Sequence, residues 1–262
     1  MIRLVAIDVD GTLLTSDHRI TDASAAAIDR ARRAGLAVVL ASGRPPRSLH
    51  PILARLGLCD GSVFLASQGA LTGSYDLGAL RIHDQQPMSL DLAQRVAAAA
   101  RIAGLSINWC AGERWLVEAL DDRVRHEARI VGCAAEVVDL AAQTVGPDKL
   151  LLLGAEGGPD VAGAVEVPLG LVAMASTSTH LEITRVDVDK AHALARLAQG
   201  RGIPAAQVAA IGDGRNDLGM LRSAGLAIAP ANAHPDVLAA ADLVVASNDD
   251  DGVAAALDLL LA

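Results

Sequence analysis

Residues 1–14 read MIRLVAIDVDGTLL, and the rest of the chain is organised around them. Leu4 to Ile7 is a short apolar run of the kind that forms a strand buried on both faces of a parallel sheet. It stops abruptly at Asp8-Val9-Asp10-Gly11-Thr12. Two carboxylates at i and i+2 share a face if strand geometry persists, and Gly11 permits a sharp turn immediately afterwards. Ligands of open α/β sheets bind beyond the carboxyl ends of the strands, so both acids are expected at the chemical edge of the fold. Alone, Asp-x-Asp-Gly also fits an Asx-rich turn that closes a strand, or half of a calcium loop. The remaining motifs decide between these readings.

Outward from this strand the pattern alternates. A helix is predicted over 23–34, a buried strand over 36–40 ending in Ala41-Ser42-Gly43-Arg44-Pro45, a helix over 46–57 and a strand over 63–66. This β-α-β-α-β order implies right-handed crossovers and a parallel sheet. Residues 69–83 read as an extended hairpin. The texture then changes. A long amphipathic helix over 89–103 is followed by strand-like runs at 105–110 and 114–119, a helix over 121–131, and strands at 149–153, 171–175 and 180–185. Strands and helices do not alternate there, which marks an inserted α+β unit. From Asp189 the first texture returns, with a strand over 208–211 running into Gly212-Asp213-Gly214-Arg215-Asn216-Asp217, then strands at 226–229 and 243–246 between helices. The expected organisation is a discontinuous α/β core of Rossmann-like type, residues 1–83 plus 186–262, enclosing an α+β cap, residues 84–185.

Composition narrows the function. Of 262 residues, 52% are hydrophobic, 20% charged and 2% aromatic, so an ordered core must be packed from aliphatic side chains. A net charge of −9 argues against nucleic acid, which selects a basic face. Three cysteines without a Cys-x-x-Cys pair point away from disulfides and zinc and toward a reducing compartment. The N-terminus does not read as a secretory leader, and no uncharged stretch is long enough to span a bilayer. A cytoplasmic protein, monomeric or a small homo-oligomer, is expected. Only two of the 22 basic residues are lysines, Lys149 and Lys190, which hints at sites that need a compact ammonium.

The strand ends and the head of the helix after Asp189 converge on one sheet edge, presenting Asp8 and Asp10, Ser42 and Gly43, Lys190, and Asp213, Asn216 and Asp217. Two carboxylates 4 Å apart repel by about 4 kcal/mol at an effective dielectric of 20. Four acids in one cleft therefore call for a cation, and a hard divalent ion such as Mg²⁺ suits oxygen ligands. With the ion in place, the lysine, the hydroxyl and the loop N–H groups make a receptor for phosphate.

Asp-x-Asp-Gly-Thr-Leu, a strand-end Ser-Gly-Arg, a helix-opening Lys and Gly-Asp-x-x-Asn-Asp, in that order, resemble the haloacid dehalogenase superfamily. The insert, with Ala-Asn-Ala at 231–233 and Asp-Gly-Val-Ala at 251–254, is similar to its Cof-type branch, which carries a type IIB cap. The resemblance implies a Mg²⁺-dependent phosphomonoester hydrolase. Asp8 would be the nucleophile that becomes an aspartyl phosphate, and Asp10 the acid and then base, also binding metal through its backbone carbonyl. Asp213 and Asp217 would serve the metal, while Ser42, Gly43, Asn216 and Lys190 would hold the phosphoryl group. The implied substrate is a small phosphorylated metabolite such as a sugar or polyol phosphate. A phosphomutase, a phosphoaspartate switch and a non-hydrolysing phosphometabolite-binding protein are the alternatives. Two positions depart from the branch pattern: Gln68 stands where Asn is usual, and Ala191 follows Lys190 where Gly is usual.

Overall fold

The computed structural model describes residues 1–262. Its first half-sheet comprises β1 (Leu4–Asp8), α1 (Asp22–Arg33), β2 (Ala37–Ala41), α2 (Pro46–Arg55), β3 (Phe64–Ala66), β4 (Leu71–Asp76) and β5 (Ala79–Gln85). The insert contributes α3 (Leu90–Ile102), β6 (Ser106–Ala111), β7 (Arg114–Val117), α4 (Asp122–Val131), β8 (Glu136–Val137), β9 (Lys149–Leu153), β10 (Leu171–Thr177) and β11 (His180–Arg185). The chain then adds α5 (Lys190–Gly200), β12 (Val208–Ile211), α6 (Leu218–Ser223), β13 (Leu226–Pro230), α7 (Pro235–Leu238), β14 (Leu243–Val245) and α8 (Gly252–Leu261).

An eight-stranded sheet runs in the order β14-β13-β12-β1-β2-β3-β4-β5. It is parallel from β14 to β3, and the β4–β5 hairpin closes it antiparallel. β1 lies centrally because its run is apolar throughout, and the period of two then divides it between two cores. Val5 and Ile7 pack with α1, α2 and α8, while Leu4 and Ala6 pack with α5, α6 and α7. Pairing of β1 with β12, Leu4 opposite Val208 through Ile7 opposite Ile211, brings the first and last motifs to the same edge.

The insert forms a separate six-stranded sheet, β10-β11-β9-β6-β7-β8, antiparallel except where β8 pairs parallel to β7. One face packs Ile107, Trp109, Leu150, Leu152, Leu181 and Ile183 against Val96 and Ala100 of α3. The alternating positions Lys149, Leu151, His180 and Glu182 face a cavity over the core. The expected elements are present, with several ends shifted by one or two residues, β7 stopping at Val117 and β10 running on to Thr177 among them. β5 continues to Gln85, the second helix ends at Arg55 rather than 57, and β8 was not anticipated. A two-residue strand is too short to show a period. No helix is long and apolar enough to cross a membrane.

Candidate active site

Asp8 ends β1 and is 5% exposed, and the chain then turns through Gly11 at φ 78°. Glycine is needed there twice over, because a Cβ would collide with the Asp213 carboxylate. Thr12, next in line, donates its hydroxyl to Asp213 Oδ1 at 2.5 Å. Asp213 follows β12, and Asp217 lies in the short turn just before α6. Asp217 Oδ2 accepts the backbone N–H of Asp213 at 3.1 Å and of Gly214 at 2.9 Å, so one carboxylate oxygen braces its own loop. Lys190, the first residue of α5, is fully enclosed and places its ammonium 2.5 Å from Asp8 Oδ1 and 2.7 Å from Asp217 Oδ1. Asp189 caps that helix by accepting the His192 N–H at 2.7 Å.

Oxygens of Asp8, Asp213 and Asp217 lie within 4.8 Å of one another. Burial, with Asp217 close by, holds the Asp8 carboxyl well above the ordinary carboxylate range against the pull of Lys190. Burial likewise pushes Asp213 up to about 6, with the Thr12 hydroxyl working the other way. Burial alone would disfavour the Lys190 ammonium, but Asp217 and Asp8 outweigh it and raise its pKa. When all three carboxylates are ionised, one ammonium leaves two negative charges uncompensated, which joins burial in pushing the Asp8 and Asp213 carboxyls up. The donors are all hard oxygens, without histidine or cysteine, and this charge and donor set fits a hard divalent cation such as Mg²⁺.

The other expected residues are distributed unevenly. Asp10 does not join this trio through its side chain. Arg44 grips both of its carboxylate oxygens, Nε to Oδ2 at 2.8 Å and Nη2 to Oδ1 at 2.6 Å. Ser42 is fully buried, and its hydroxyl accepts the Arg44 N–H at 3.1 Å. Gly43 and Asn216 line the cavity together with Asp8, Asp10 and Asp213. Trp109 is packed inside the cap, whereas Trp115 lines the cavity.

That cavity has a volume of about 780 Å³ and is roofed by the insert. Its cap side carries Glu127 and Ile130 of α4, Met174 of β10 and His180 of β11. His180 Nε2 lies 3.3 Å from Glu127 Oε2, and its Nδ1 lies 3.0 Å from the Thr177 hydroxyl. Sequence reasoning missed Thr12, Glu127 and Glu182. Thr12 stands inside the first motif and was open to discovery. The other two act across folds of the chain that no local pattern records.

The sequence profile of the haloacid dehalogenase-like hydrolases matches residues 5–257. The pyridoxal phosphate phosphatase YbhA of Escherichia coli (strain K12) is 28% identical, over 96% of each chain. The 5-amino-6-(5-phospho-D-ribitylamino)uracil phosphatase YcsE of Bacillus subtilis (strain 168) is 25% identical, over 98% of this chain and 94% of that one. Among solved structures, a haloacid dehalogenase-like hydrolase from Bacteroides thetaiotaomicron superposes with a TM-score of 0.87 at 28% identity, covering 99% of this chain and all of the other.

Proposed function

Because the chain belongs to the haloacid dehalogenase-like hydrolases, we propose that it is a Mg²⁺-dependent phosphomonoesterase that hydrolyses a small sugar or polyol phosphate through an aspartyl phosphate on Asp8. The observation that carries this reading is the buried Asp8–Lys190–Asp217 chain beside Asp213, opening into a roofed cavity. Asp8, Asp213 and Asp217, with the Asp10 backbone carbonyl, would hold the ion. When bound, the ion neutralises charge on the phosphoryl oxygens and lets an anionic nucleophile approach.

The residues of the chain supply the rest. Asp8 forms a bond to phosphorus as the ester P–O bond breaks, and Asp10 gives the departing oxygen its proton. Asp10 then takes a proton from water as the water oxygen attacks the phosphoaspartate, which frees inorganic phosphate and restores Asp8. Arg44 bonds both Asp10 oxygens, so its hydrogen bond to the one that carries the proton weakens during this cycle. Lys190, the Gly43 N–H and the Asn216 amide hold the phosphoryl oxygens, with Ser42 setting the loop that presents Gly43.

The cap, taken as residues 84–185, excludes water and meets the leaving group. A cavity of about 780 Å³ suits a small organic phosphate, and Glu127, His180 and Thr177 offer hydrogen bonds to hydroxyls. The named relatives act on a phosphorylated ribityl compound and on pyridoxal phosphate, both of them small phosphorylated molecules. Free Cys59, Cys110 and Cys133 suit a reducing, cytoplasmic setting. The test is phosphate release from a panel of sugar, polyol, nucleotide and cofactor phosphates, with Mg²⁺ and with chelator. Asp8→Asn should abolish release while leaving the circular dichroism spectrum unchanged. A variant as fast as the parent protein ends the reading.

A further inference from the structure

The turn at Ser67–Gly69 has no part in the hydrolysis derived above, yet it touches every phosphate-facing loop except that of Asp8. Its backbone passes through three successive left-handed residues, Ser67 at φ 51°, Gln68 at 60° and Gly69 at 89°. Non-glycine residues keep that conformation only where their surroundings compel it, and such compulsion clusters at functional sites. Here the compulsion is visible. The Ser67 N–H donates to Arg44 O at 2.9 Å and the Gln68 N–H to Ser42 O at 3.1 Å. On the other side, a Cβ at Gly69 would collide with the Asp189 carbonyl, next to Lys190.

The side chain of Gln68 extends the connection in two directions. Its Nε2 donates to Glu182 Oε2 of the cap at 2.9 Å, and its Oε1 accepts from Asn216 Nδ2 at 3.3 Å. The same Glu182 oxygen takes the Lys149 ammonium at 2.9 Å, and that ammonium donates to Gly43 O at 2.8 Å. Lys149 and Glu182 side chains are only 6% and 17% exposed. A carboxylate accepts and never donates. Glu182 therefore selects the NH₂ end of the Gln68 amide, which turns the carbonyl end toward Asn216. One Asn216 N–H is thereby engaged and the amide plane fixed. Gln68 also packs so closely on Gly43 that its Nε2 would lie 2.6 Å from a Cβ there. Asparagine would carry the same amide one methylene nearer the backbone, so the extra methylene of Gln68 sets how far this amide reaches between Asn216 and Glu182.

We infer that Glu182 is a positioning residue, which acts through Gln68 to set Asn216 and Gly43 for the phosphoryl group, so that the phosphate grip is complete only with the cap docked. The inference rests on the phosphatase reading and adds to it a route by which cap closure reaches the reacting end of the substrate.

Calorimetric titration of inorganic phosphate into the full chain with Mg²⁺ tests it without turnover. Lys149→Met with Glu182→Leu removes the pair without stranding a buried charge, and should weaken phosphate binding about tenfold, the effect of one lost hydrogen bond to a charged group. Lys149→Met with Glu182→Gln returns an acceptor oxygen to Gln68 and should recover binding to within about threefold of the parent, since the pair then differs only in charge. Adding Gln68→Ala to the first variant should cost nothing more, because groups acting in series are not additive. If the first variant is too unstable to titrate, Gln68→Ala alone should show the same loss. A simple clasp on the cap would raise KM for bulky esters only and leave inorganic phosphate untouched. Phosphate affinity within about twofold of the parent in the Leu variant or in Gln68→Ala, or a full separate loss from Gln68→Ala in the combined variant, overturns the relay. A parent protein that neither binds nor releases phosphate overturns the phosphatase reading and the relay with it.

Discussion

At the scale of single residues, Lys149 lines the cavity and Lys190 is enclosed against Asp8, and each ammonium is held by at least one carboxylate. Lys190 joins Asp8 to Asp217, and Lys149 joins Glu182 to the Gly43 carbonyl. Removing the Lys190 charge strands two buried anions, so Lys190→Met should lose activity and cost about 3–5 kcal/mol in urea unfolding without metal. Lys190→Arg should not restore activity, because a planar fork cannot occupy a slot shaped for an ammonium. Thr12→Val deletes the hydroxyl that lowers the Asp213 pKa. The Mg²⁺ concentration for half-maximal phosphate release should then rise about tenfold or more, the worth of one hydrogen bond to a carboxylate. The placement of Asp8, Asp213, Asp217, Lys190 and Asn216 was legible because each sits at a strand end or helix start whose position follows from local pattern. The Glu182 contacts were not, because the one to Gln68 spans 114 residues.

At the scale of elements, β1 was readable because a short, β-branched apolar run that breaks at an Asp-Gly turn suits a strand buried on both faces. β9 has the same look, Lys149-Leu-Leu-Leu-Leu153, but a different fate. α3 covers Leu150 and Leu152, while Leu151 faces the cavity beside Lys149. A uniform leucine run hides which face meets the ligand, which is why the cap side of the site could not be assigned from sequence. Trp109 is fully enclosed between that sheet and α3 and is the bulkiest member of that core. Trp109→Ala should destabilise the cap by about 3–5 kcal/mol. Hydrogen exchange should show the loss across β6, β9 and α3 before it reaches β1 or β12.

At the scale of the whole molecule, the parallel core was legible from the order of its motifs, while the docking of the cap was not, since it depends on contacts between distant strands. The Lys149–Glu182 contact gives that docking an expected dependence on acid. Burial disfavours the Glu182 carboxylate, yet Lys149 and the Gln68 amide hold its pKa below the ordinary 4.5. A carboxyl depressed on folding stabilises fully above its unfolded pKa and loses that contribution as pH falls through the folded value. The difference in urea midpoint between the parent and Glu182→Gln should therefore be constant near neutrality and shrink below about pH 4.5. The pairing of β1 with β12 also has a consequence for synthesis. A nascent chain makes β1 early, but the strand that covers its open edge emerges about two hundred residues later. The inserted sheet, built from strands all lying between Ser106 and Arg185, has every partner in hand first. It can condense on the ribosome while β1 still waits, so a chaperone that shields that bare edge has its longest window on this protein during translation.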